Sequence, residues 1–171
     1  MLGILLSFLA AIFESLKDLF GKKSLREVDE YVVVLFIYFF PILFLSPFLF
    51  LFGLPSLGED FWWALLAGSI LNFLANIFYF RAIKLSDLSI TTPLLAFSPL
   101  LLLITAPLIV GEFPGWLGLI GVILIVIGSY SLNIKKRKQG LVAPFKALLK
   151  EKGTKLMLLV VLLWGIAAPI D

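Results

Sequence analysis

Glu14 is an acid set in an oily run: from Leu2 to Phe20 most of its neighbours are Leu, Ile, Phe and Ala. A carboxyl group in that setting resists ionisation, which suits a site that binds a proton or another cation and couples it to movement. Lys17, at i+3, offers a plainer explanation, an intrahelical ion pair near the polar boundary. Lys17 itself can snorkel to the headgroups, or face Asp171 if the two halves of a repeat meet.

Amides form the second constellation. Gly68, Asn72 and Asn76 recur at i, i+4 spacing and share one helical face, with Tyr79 close by. An amide does not titrate, so these residues would recognise a polar substrate and not couple an ion. Hydrogen bonding to a neighbouring helix is the alternative use. A third group is Thr92, Pro93, Ser98 and Pro99, followed by Thr105 and Pro107. Each proline removes a helical hydrogen bond and frees a carbonyl four residues back, at Ser89, Leu95 and Leu103. Freed carbonyls at membrane depth must be buried in protein or face a wet cavity. The hydroxyls of Thr91, Thr92, Ser98 and Thr105 are placed to re-satisfy them. The stretch reads as a kinked, cavity-lining helix, or as a bent packing helix.

The elements that carry these groups follow from composition. Hydrophobic residues make up 61% of the 171-residue chain and charged residues 15%, against ~45–50% and ~25% in ordinary soluble domains. A soluble fold of this length cannot hide so much apolar surface. The fold class is therefore all-α transmembrane. Cys and His are both missing from the sequence, which excludes disulfides, thiol and imidazole catalysis and soft metal sites. No cofactor is expected. Paired acids on an inner loop, as a metal-dependent lipid-phosphate enzyme would need, are offered only by Glu27, Asp29 and Glu30. They mingle with Lys23 and Arg26 as a solvated charge cluster would.

Five runs reach the length of about 20 residues that a bilayer demands: Leu2–Phe20, Val32–Phe52, Phe61–Ile83, Ser89–Val110 and Trp116–Ile134. A sixth begins near Leu156 and reaches Asp171 without a stop signal, as the start of a second repeat in a truncated chain would. Residues 1–134 thus form one unit, 135–154 a basic linker and 155–171 the start of the next. Within the linker, Pro144–Lys150 has the pattern of an interfacial helix.

All fourteen Lys and Arg lie in the last turn of, or after, the first, third or fifth span. The positive-inside rule puts that side in the cytoplasm and the N-terminus outside. Trp62, Trp63 and Trp116 mark the outer interface, and Tyr31, Tyr79 and Tyr130 the inner one. Basic residues confined to short loops form no continuous face, so nucleic acid is not an expected partner. The lipid bilayer is.

The stretch from Leu9 to Lys17 aligns without gaps to Leu163–Asp171, with Leu9/Leu163 and Ile12/Ile166 identical. An odd number of spans between the copies would invert the second one. Further signals are Tyr79-Phe-Arg-Ala-Ile-Lys-Leu-Ser-Asp, Thr92-Pro-Leu-Leu-Ala-Phe-Ser-Pro99, the Gly111-Glu112 turn, and Gly118, Gly121 and Gly128. This pattern resembles the EamA-type domain of the drug/metabolite transporter superfamily. The resemblance implies a ten-helix carrier of two inverted five-helix halves, here the first half, in the membrane of a prokaryotic cell. It would move a small metabolite, amino acid or drug by exchange or ion coupling. Described members usually place the N-terminus in the cytoplasm, opposite to the charge bias here. Gly118, Gly121 and Gly128 form one stripe, read as the packing surface for the second half or a second copy. A non-transporting helper, such as a lipid-flippase subunit of small repeats, is the other function that this architecture allows.

Overall fold

The computed structural model describes residues 2–53, 57–111, 113, 115–132 and 151–170. The basic linker with Pro144–Lys150, Glu112, Asp171 with its suggested contact to Lys17, and the side chain of Tyr130 lie outside the described residues. Every described element is helical: α1 (Leu2–Ser24), α2 (Glu30–Phe52), α3 (Phe61–Leu85), α4 (Leu88–Thr91), a 3-10 turn (Thr92–Phe97), α5 (Ser98–Ile109), α6 (Trp116–Leu132) and α7 (Lys152–Ala167). The all-α membrane class holds. The last helix begins at Lys152 and not near Leu156.

Helix ends follow local chemistry. Asp29 precedes α2 in extended conformation and Glu30 places a carboxylate in its first turn, where the helix dipole favours one. At the other end Gly53 takes φ 73°, and its N–H returns to the Leu49 carbonyl. Pro41 and Pro47 stay inside α2.

The fourth span behaves differently from a simple kink. Pro93 sits at the start of the 3-10 turn and Pro99 at the start of α5, the positions where a missing N–H costs least. So the prolines divide this span into three segments. The carbonyl of Leu95, expected to be orphaned, accepts the Ser98 N–H. The Thr91 hydroxyl donates instead to the carbonyl of Asp87 at 3.1 Å, and Thr105 Oγ1 lies 3.1 Å from the carbonyl of Leu101.

Among the described residues, three helical stretches have both the length and the hydropathy to cross a bilayer: Glu30–Phe52, Phe61–Leu85 and Thr92–Ile109. The first span departs because Glu14, Lys17 and Asp18 interrupt it. In the last, Trp116–Ile125 is a shorter apolar stretch.

The core lies between α3 and α7. Tyr79, Phe80, Ala82 and Ile83 from α3 bury against Met157, Val160 and Val161 of α7, with Leu94 of the 3-10 turn and Val34 of α2 alongside. Lipid is as apolar as these side chains, so their association draws on close packing more than on escape from water. Glycines make the closeness possible. A Cβ at Gly153 would lie 2.6 Å from the Ala82 carbonyl oxygen, and one at Gly165 would lie 2.9 Å from Cβ of Leu101. At the far end of α7, Pro169 has no N–H to offer the Gly165 carbonyl. Thr105 Oγ1 donates to that carbonyl at 2.6 Å and fills the gap from a neighbouring helix.

Candidate functional site

α1 and α3 meet at a polar node. Lys17 Nζ pairs with Glu14 Oε1, lies 4.0 Å from Asp18 Oδ1, and stands 5.9 Å from the centroid of the Tyr79 ring. Asp18 Oδ1 is buried and accepts no hydrogen bond. Tyr79 is held edge-on to Phe80 at 5.1 Å and tilted against Trp164 of α7 at 5.4 Å. Two carboxylates and one ammonium therefore share a site walled by aromatic rings.

This arrangement corrects one expectation and shows the contacts that other predicted residues make. Tyr79 is 2% exposed, so it is part of the core and not of an interfacial belt. Glu14, 64% exposed at its side chain, takes the ion-pair geometry that its spacing from Lys17 allowed. Asn76 Nδ2 donates to the Tyr38 hydroxyl of α2 at 3.0 Å and to the Asn72 carbonyl at 2.9 Å, which is the interhelical use of an amide. Gly68 is buried in the same helix.

Other predicted residues lie elsewhere. Thr92, Pro93, Ser98 and Pro99 are half-buried along the broken fourth span, and the Ser98 hydroxyl is buried with no hydrogen-bond partner. On α6, Gly118 and Gly128 are exposed and Gly121 half-buried. A Cβ added at Gly121 or Gly128 would meet nothing within 4 Å. At these two positions the stripe leaves room for a neighbour.

Sequence reasoning passed over Asp18 and Trp164. Asp18 was findable, as a second acid one turn beyond Glu14 on the face that Lys17 shares. Trp164 was not, because nothing in an apolar run announces which neighbour it meets. Nor was the charge cluster between α2 and α3: Glu30 is buried, with Lys84 at 2.8 Å and Arg81 at 3.6 Å, and Asp29 reaches Lys84 at 3.1 Å. These acids fasten α2 to the end of α3, and Glu30 is not the solvated group its neighbours suggested. Lys22 donates to the carbonyls of Ile83 and Ser86, the latter at 2.7 Å. A cation thus caps the C-terminus of α3, where the helix dipole favours it.

A cleft of about 680 Å³ opens beside the node, between α1 and α2. Phe20, Val33, Phe36 and Phe40 supply apolar wall, and Lys17 and Glu27 supply charge.

The sequence profile of the EamA-like transporter family matches residues 1–134. The chain belongs to the EamA-like transporter family. No curated protein and no solved structure matches it. Family membership and the long apolar helices make the chain an integral membrane protein of a transporter family. The match takes in α1 to α6 and stops before α7, so the helix that packs most extensively on α3 lies outside it.

Proposed function

We propose that the chain is the first half of a secondary carrier for a small metabolite, amino acid or drug, driven by exchange or ion coupling. The carrying observation is the Glu14–Lys17–Asp18–Tyr79 node, charged groups held within apolar helices beside an open cleft. Ionisable groups in that position are costly, and a substrate or ion path is their commonest use. Asn72, Asn76, Thr92, Pro93, Ser98 and Pro99 are the remaining candidates for the substrate path, with Asn76 tied to Tyr38 in the state described. The second half, or a second copy, meets the open glycine stripe of α6 and completes an inverted pair.

Orientation follows from the cations. Lys22 and Lys84 gather with Ser86 and Glu151 at one end of the bundle, which supports a cytoplasmic side there and an external N-terminus. A cysteine placed at Ser56 should react with an impermeant reagent added to intact cells. Reaction only after lysis reverses the topology.

Uptake into proteoliposomes tests the function. A carrier moves solute along an imposed ion or counter-solute gradient, and Glu14→Gln should abolish the coupled component. Normal coupled uptake by that variant removes Glu14 from the mechanism.

A further inference from the structure

α1 and α2 follow one another in the chain and both rest on α3, yet a cleft of about 680 Å³ stays open between them. Its deeper wall is apolar: Phe20 from α1, and Val32, Phe36 and Phe40 from α2, all of them exposed. The rings of Phe36 and Phe40 stack at 5.6 Å, and Phe44 continues the row at 6.4 Å. Phe40 lies about 15 Å along α2 from Glu30, so the row reaches well into hydrocarbon. Lys17 also lines the cleft, but its ammonium is held by Glu14, and it contributes chiefly its apolar stem. Polar groups gather at the other end, where Ser24 and Glu27 line the mouth and exposed Lys23 and Arg26 adjoin them in the chain. Among the described residues, Lys23, Arg26 and Glu27 have no ion-pair partner. We propose that this cleft holds a phospholipid of the surrounding bilayer. One acyl chain lies along the phenylalanine row, and a zwitterionic aminophospholipid headgroup rests on the turn after α1.

Water is a poor filling for such a space. A buried water needs about two to four polar partners, and phenylalanine walls do not supply them. A hydrocarbon chain needs none and is already present at this depth of the bilayer. The tail exchanges one apolar surrounding for another, so the walls select its shape and the turn selects its headgroup. Both signs of charge stand at that turn. Glu27 suits a primary ammonium, and Lys23 and Arg26 suit a phosphate, as basic residues at a membrane surface do. A purely anionic lipid would set its charge against Glu27 with no ammonium to answer it. The bound lipid bridges α1 and α2 where the chain leaves them apart. Such a site goes beyond the carrier reading and does not depend on it.

The full chain, purified in mild detergent and mixed with equal amounts of phosphatidylethanolamine and phosphatidylglycerol, can be read by native mass spectrometry. One phosphatidylethanolamine per chain should be retained in preference to phosphatidylglycerol. Val32→Trp fills the cleft from an exposed position and should cut the retained lipid about tenfold. Ser24→Trp blocks the mouth from α1, should do the same, and decides if Val32→Trp fails to fold. Glu27→Gln should keep the lipid but lower the preference for the amine about two- to fivefold. Retention unchanged in both tryptophan variants, no preference for the amine, or a preference that survives Glu27→Gln overturns the site. So does displacement by water-soluble phosphoethanolamine, which would show that no acyl chain is needed. Dimers that Val32→Trp disrupts, with no lipid retained, would give the cleft to a second copy instead.

Discussion

α1 and α7 are both apolar helices laid against α3, and they are held in opposite ways. α7 sinks Met157, Val160 and Val161 into the core and lets its backbone approach through Gly153 and Gly165. Along α1 only Gly21 is buried, and most of the helix is exposed. Beyond the approach of Gly21 to Phe80, its attachments are polar: Lys22 on the end of α3, and Lys17 over the Tyr79 ring. Packing cannot be undone by degrees, because a tight interface is either seated or not. A polar contact can be made and broken by a proton or a substrate. The seam with α7 is thus suited to be the fixed side of the bundle and α1 the responsive side.

The sharpest way to break this contrast is Gly153→Ala. The new methyl would meet the Ala82 carbonyl at 2.6 Å, and a backbone atom inside a helix cannot give way as a side chain can. A loss of about 1–3 kcal/mol in thermal unfolding in detergent is expected. Gly165→Ala should cost less, since its nearest obstacle is the side chain of Leu101. Equal tolerance at both positions would mean that α7 is not seated as described.

What could be read in advance divides along the same line. The apolar runs locate the helices because bilayer thickness fixes their length, and no partner has to be known. The prolines of the fourth span also announced an irregularity, though only the structure distinguishes segments from a kink. Partner choice is different. The face of α7 that meets α3 recurs at helical spacing, Gly153, Met157, Val160, Val161 and Gly165, but the Leu and Val that flank it are as apolar, so no contrast picks it out. Glu14 and Lys17 were legible as a pair because i+3 spacing is local. The approach of Lys17 to the Tyr79 ring joins residues from separate helices, and no local rule couples them. Glu30 was misread for the same reason: its nearby charges are Lys23 and Arg26, but its partners are Arg81 and Lys84.

Thr105→Val sharpens the contrast at a smaller scale. Valine preserves the shape and deletes the donor to the Gly165 carbonyl, which Pro169 leaves without a helical partner. The expected cost is about 1 kcal/mol in unfolding, and Thr105→Ser should restore part of it. An unchanged midpoint would show that the Gly165 carbonyl finds another donor.

The smallest effect is expected on α6, and it separates the chain from its assembly. Gly121 has no neighbour within 4 Å of an added Cβ. Within the single chain Gly121→Ala should be neutral or should stabilise by up to about 1 kcal/mol, because alanine holds a helix better than glycine. If this face receives a second half or a second copy, the same methyl sits where backbones must approach closely. The variant should then weaken association, read by crosslinking or single-molecule counting in bilayers, while monomer unfolding in detergent stays unchanged. Loss of monomer stability instead would mean that the Gly121 face of α6 already packs within its own chain, and that it belongs to neither the fixed nor the responsive side.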